Sequence, residues 1–156
     1  MKNILLFSIF FYYGMSPVTA QKDKINWQTW SELEASLKKE PKPVFLFFEA
    51  DWCVYCKKIK REIFTKKEVI AKFNSAYYSV KMNVESRDTI YFDGMTFTNE
   101  QAKTQRHGVH QLPLLLASRE GKAFSLPATL LLDKSFNVQQ RVFEYYTSSR
   151  LLELLQ

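Results

Sequence analysis

Residues 44 to 58 read VFLFFEADWCVYCKK, and the pattern changes character within that stretch. Val44 to Phe48 is an unbroken apolar run, rich in aromatic residues, that opens just after Pro41 and Pro43; a run without alternation suits a strand covered on both faces. From Cys53 the period becomes helical, with Ile59 and Ile63 recurring four apart and lysines filling the other side. Cys53 and Cys56, the only two cysteines, therefore stand where the chain leaves a sheet and begins a helix. Unpaired backbone N–H groups and the positive end of the helix dipole favour a thiolate there, so Cys53 is expected to be a nucleophile near neutral pH. Cys56, one turn on, is expected to point inward and to attack a mixed disulfide formed on Cys53.

Other uses of two cysteines are weighed against that chemistry. A plain structural disulfide closing so short a ring contributes only about 2 kcal/mol in the chain-entropy model, against about 4.7 kcal/mol for a loop of roughly 100 residues. A zinc finger needs paired histidines with three to five residues between them, about a dozen residues after the cysteines; His107 and His110 lie far downstream and have only two residues between them. Covalent haem attachment needs His directly after the second Cys, where this chain has Lys57. Each histidine alone reads as a surface or helix-capping residue. No cofactor and no metal are expected.

Working outward, Trp27, Trp30, Leu33 and Leu37 mark an amphipathic helix over residues 26 to 39. A short helix capped by Thr65 and carrying Val69, Ile70 and Phe73 is expected after the cysteine helix, then a strand over residues 76 to 84. Asp93-Gly94 predicts a tight hairpin between residues 89 to 92 and 95 to 98, because both turn positions need positive φ. Leucine density predicts a helix over residues 107 to 118, with Pro113 in its first turn or kinking it. Strands over 128 to 132 and 138 to 145, joined by a turn at 133 to 137, lead to a closing helix capped by Thr147. Strands alternating with helices imply one three-layer α/β domain with a mixed central sheet, and no linker divides it.

The 156 residues include 46% hydrophobic, 15% aromatic and 24% charged residues, too apolar for a disordered chain and too polar for a polytopic membrane protein. The formal net charge is +6, with a denser basic cluster at Lys57, Lys58, Lys60, Arg61, Lys66 and Lys67 that reads as a solvated helix face. Nucleic acid is not an expected partner, since no recognition motif accompanies the charge. At the N-terminus, Lys2 precedes an apolar run from Ile4 to Tyr13, and Val18-Thr19-Ala20 offers small residues before a polar stretch. Residues 1 to 20 thus read as a secretory signal, leaving a domain over 21 to 156. The run is about half of the roughly 20 residues needed to cross a bilayer, which favours a cleaved signal over a permanent anchor. The expected location is periplasmic, or secreted or N-terminally anchored if the signal stays.

Residues 47 to 58, FFEADWCVYCKK, resemble the active-site segment of the thioredoxin superfamily, and are especially similar to the periplasmic C-terminal domain of the transmembrane thiol-disulfide interchange reductase. Leu126-Pro127-Ala128-Thr129 resembles the family's cis-proline segment. The resemblance implies a thioredoxin-like α/β/α fold, a cis Leu126–Pro127 bond facing the cysteines, and a Leu126 backbone able to pair with a bound substrate chain. It also implies a thiol-disulfide oxidoreductase in which Cys53 attacks, Cys56 resolves, and Trp52, Tyr55, Leu126 and Pro127 contact the substrate. Two departures stand out. Where thioredoxins carry a buried Asp, this chain has Phe47; Glu49, on the same face of the strand, is the candidate proton acceptor, or else a strand-end carboxylate paired with Lys57. Residues 86 to 125, before the cis-proline, also form a longer connection than is usual.

The expected activity is reduction, or isomerisation, of disulfides in envelope proteins, with electrons from a membrane thiol reductase and no stable membrane insertion once the signal is cleaved. The alternative is a non-catalytic binding module that carries copper or a peptide on the same fold, since soft thiolates suit Cu(I).

Overall fold

The computed structural model describes residues 23–155, so the expected signal over 1 to 20 lies outside the described residues. The first helix, α1, spans Trp30–Lys39 and buries Trp30 and Leu33. It starts later than the apolar period predicts, because Thr29 and Glu32 form a capping box. The Thr29 hydroxyl accepts the Glu32 N–H at 3.2 Å, while the Glu32 carboxylate accepts the Thr29 N–H at 2.7 Å. The Thr29 N–H, and after it the Thr29 hydroxyl donating to the same carboxylate at 2.9 Å, hold the Glu32 carboxyl below its ordinary range. Trp27, which the helical period had claimed, instead bridges in parallel to Ser79 and packs among Phe45, Phe64 and Phe73.

Strand β1, Val44–Glu49, is followed by α2, Val54–Glu62, α3, Lys67–Ala76, and β2, Tyr78–Asn83. Thr65 does not cap α3; its hydroxyl donates to the Arg61 carbonyl at 2.8 Å and finishes α2, leaving Lys66 as an N-cap without a side-chain bond. β1 pairs in parallel with β2 and antiparallel with β5, Ala128–Leu132, and β5 pairs antiparallel with β6, Val138–Val142, giving the order β2-β1-β5-β6. A central position with both faces covered explains why β1 is apolar without alternation. Phe45 and Phe47 on one face meet Phe73 and Phe64, with ring centroids 4.4 Å and 5.0 Å apart respectively. Helices flank this mixed sheet in the expected α/β/α layering, closed by α5, Ser148–Leu154, which Thr147 caps.

Between β2 and β5 the inserted segment forms the hairpin β3, Ile90–Phe92, and β4, Met95–Phe97, then a 3₁₀ turn at Glu100–Lys103 and helix α4, Gln111–Ala117. Asp93 and Gly94 both adopt positive φ, 51° and 71°, as the hairpin reading required. α4 is shorter than predicted, since His110 ends the preceding loop and serves as its N-cap, with Nδ1 accepting the Leu112 N–H at 3.2 Å. Pro113 sits in the first turn, where its missing N–H is harmless. β6 stops at Val142 because the chain then turns Tyr146 into the core, where its hydroxyl lies 2.9 Å from the Thr129 hydroxyl. No helix among the described residues is long and apolar enough to cross a membrane.

Candidate active site

β1 delivers its C-terminal end to a tight turn in which the Cys53 N–H donates to the Ala50 carbonyl at 3.0 Å. Cys53 is the N-cap of α2: its backbone is still extended, and its sulfur accepts the Cys56 N–H at 3.2 Å. An N-cap position is normally filled by an oxygen-bearing side chain, so a sulfur there faces the orphan donors that stabilise negative charge. The two cysteines are joined as a disulfide with their Cα atoms 5.2 Å apart. Cys56 is fully buried, as its predicted inward orientation requires. Cys53 is less open than the sequence suggests, at 4% exposure in the disulfide form, because its sulfur turns toward Cys56 and the open surface belongs to Trp52, Val54 and Tyr55.

Glu49 ends β1 with its side chain only 13% exposed and forms an ion pair with Lys60. Lys57, the partner considered from sequence, is exposed and takes no part. Lys60 replaces it because it lies four residues after Cys56, on the same face of α2 and over the sheet end. Phe48 pairs with Ala128, which sets the neighbouring Leu126–Pro127 segment beside the end of β1 from which the cysteine turn departs. The Leu126–Pro127 bond is cis, as the resemblance implied; Pro127 is buried and Leu126 half-buried.

The structure also shows what sequence reasoning did not find. Trp52 Nε1 donates to Glu85 Oε1 at 2.7 Å, and His107 Nδ1 lies 2.6 Å from the same oxygen. On the other flank, Tyr55 faces Tyr145 with ring centroids 6.2 Å apart, and Lys58 Nζ sits 4.6 Å above the Tyr145 ring. His107 and His110 do not converge. His110 is buried and its Nε2 meets the Asp88 carbonyl at 3.1 Å, and burial pushes its imidazole pKa down.

The sequence matches the thioredoxin-like domain family over residues 31–156. The chain belongs to that family. Among solved structures, this thioredoxin-like chain is similar to a DsbH oxidoreductase, with a TM-score of 0.58 at 18% identity over 94% of this chain and 92% of that one. It is also similar to the Neisseria meningitidis DsbD C-terminal domain in its reduced form, with a TM-score of 0.51 at 18% identity over 80% and 89%. A thioredoxin from Thermus thermophilus gives a TM-score of 0.58 at 13% identity over 85% of each chain. These likenesses show the fold. No curated protein matches the sequence.

Proposed function

We propose that this thioredoxin-like chain is an exported thiol-disulfide oxidoreductase that reduces disulfides of envelope proteins. The observation that carries the proposal is the Cys53 sulfur at the N-cap of α2, accepting a backbone N–H one turn from a second, buried cysteine. In the reduced protein, the Cys53 thiolate attacks one sulfur of a substrate disulfide, and the substrate's other sulfur leaves as a thiolate. Cys56 gives its proton to the Glu49 carboxylate and attacks Cys53, forming the Cys53–Cys56 disulfide and releasing the second substrate thiol. Two electrons pass to the substrate. Trp52, Tyr55, Leu126 and Pro127 line the approach.

The signal-like residues 1 to 20 support an envelope location, and the resemblance of residues 47 to 58 to the interchange reductase's periplasmic segment is the ground for a membrane thiol reductase as electron donor. The domain proper is then 21 to 156. Insulin reduction tests the reading. The parent is expected to reduce insulin and Cys53→Ser to be inactive, while Cys56→Ser accumulates a mixed disulfide. A parent without activity that takes up stoichiometric copper would establish the binding module instead. The reducing direction requires a potential well below about −120 mV, the value typical of a strong oxidant.

A further inference from the structure

We propose that the inserted segment is a positioning element for the redox centre: His107 and Glu85 hold the Trp52 indole beside Cys53, and this clamp favours protein disulfides over small ones. The inference rests on the reading of Cys53 as the attacking sulfur. Trp52 is 55% exposed, and an aromatic side chain so open would ordinarily sample several rotamers. Here its N–H is fixed on Glu85 Oε1 at 2.7 Å. A carboxylate oxygen only accepts, so the His107 contact to that oxygen at 2.6 Å is an Nδ1–H donating. The triangle closes on its third side, where the His107 and Trp52 rings meet edge to face with centroids 6.0 Å apart. Both hydrogen bonds are charge-assisted, which makes them stronger than neutral ones.

The clamp's two outer members are themselves held. The Val84 carbonyl accepts the His110 N–H at 2.8 Å, immediately before Glu85. Asn99, 7% exposed, donates from Nδ2 to the Ser86 carbonyl at 3.0 Å, immediately after Glu85, and to the Gly108 carbonyl at 2.8 Å, immediately after His107. Gly108 makes the approach possible: a Cβ there would lie 2.4 Å from the Ala102 backbone nitrogen. The returning chain is thus locked to the end of β2 on both sides of Glu85, and His107 reaches Trp52 without ordering a loop on binding. A protein substrate laid across Cys53 meets an indole already oriented and loses less entropy on docking. A small disulfide needs only the sulfur.

The test uses the full chain with His107→Ala, Glu85→Ala and Glu85→Gln, the last keeping an acceptor for both donors. The Trp52 indole N–H, assigned by its loss in Trp52→Phe, is followed by NMR solvent exchange. It is expected to exchange about ten-fold faster in Glu85→Ala, which removes its charged acceptor, and by a smaller factor in His107→Ala, which keeps the acceptor but frees Glu85 to move, and in Glu85→Gln, which keeps a neutral acceptor. For insulin, KM is expected to rise about five-fold in the alanine variants with kcat held, while the rate with a small aromatic disulfide stays within about two-fold. Unchanged indole exchange, or equal losses on both disulfides, would overturn the proposal. A parent inactive on both substrates overturns the redox reading and the selectivity with it, and the clamp is then decided by the indole exchange alone.

Discussion

Replacing Asn99 should unfasten the inserted segment, and the cost can be worked from its partners. The side chain makes three hydrogen bonds: donations to the Ser86 and Gly108 carbonyls at 3.0 Å and 2.8 Å, and an acceptance from the Ala102 N–H at 3.0 Å. Asn99→Asp is nearly isosteric and keeps the acceptor but loses both donors, setting a carboxylate against two carbonyl oxygens. The Gly108 carbonyl lies at the buried end of this contact and the Ser86 carbonyl at a partly buried one. A buried group left unpartnered costs about 1 to 3 kcal/mol, so together they should cost about 2 to 4 kcal/mol. Asn99→Ala, which also takes from the Ala102 N–H its shorter acceptor and leaves it the Asn99 carbonyl at 3.3 Å, should cost a similar amount. Urea unfolding measures the loss, and native-state hydrogen exchange at Val109 and His110 shows where it falls, with faster exchange expected there than at the β1 amides. A loss below about 0.5 kcal/mol in both variants, with exchange unchanged at Val109 and His110, would refute the account of Asn99 as the staple.

Glu49→Gln is expected to lengthen the life of the mixed disulfide with insulin about ten-fold or more, since a neutral amide cannot take the Cys56 proton; an unchanged lifetime on non-reducing gels would remove Glu49 from the mechanism. His110 should make stability depend on pH. Its folded pKa is lowered, chiefly by burial, so the unfolded chain binds the proton more readily. Its contribution is complete above the unfolded value of about 6.5 and is lost as pH falls below it. Urea midpoints at about pH 5 and about pH 8 should differ more in the parent than in His110→Gln. Tyr146→Phe should cost about 1 to 2 kcal/mol by stranding the buried Thr129 hydroxyl, and adding Thr129→Val should recover part of that loss in thermal unfolding.

Much of the fold was legible because local chemistry and tertiary demand agree. Val44 to Phe48 lacks alternation because β1 is covered on both faces, and Asp93-Gly94 marks its hairpin because few other pairs accept two consecutive positive φ angles. Trp27 misled because its helical spacing from Trp30 coincides with a position paired to Ser79 across the sheet, and a capping box starts α1 after it. Leucines over residues 107 to 118 overstated α4 for a similar reason: His110 stops the helix from the front, and its capping role was among those anticipated for either histidine. The cysteine turn was visible as a strand-to-helix junction. The lysine that pairs with Glu49 was not, because Lys57 and Lys60 look alike in sequence and lie one turn apart on α2, and only the packing of the helix over the sheet end decides which one reaches Glu49. Glu85 carried no signal at all, since its role comes from meeting Trp52 and His107 across 33 and 22 residues.

The unequal burial of the two sulfurs has a kinetic corollary. Cys56 is fully buried and Cys53 is 4% exposed, so in the proposed cycle Cys53 is the sulfur that an external thiol or disulfide meets. In the proposed cycle, donor and acceptor must therefore take turns at a single atom and can never occupy the chain together. Electron flow through it would then be ping-pong, with parallel double-reciprocal lines when both substrates are varied, and an excess of either would slow the other by crowding the same berth.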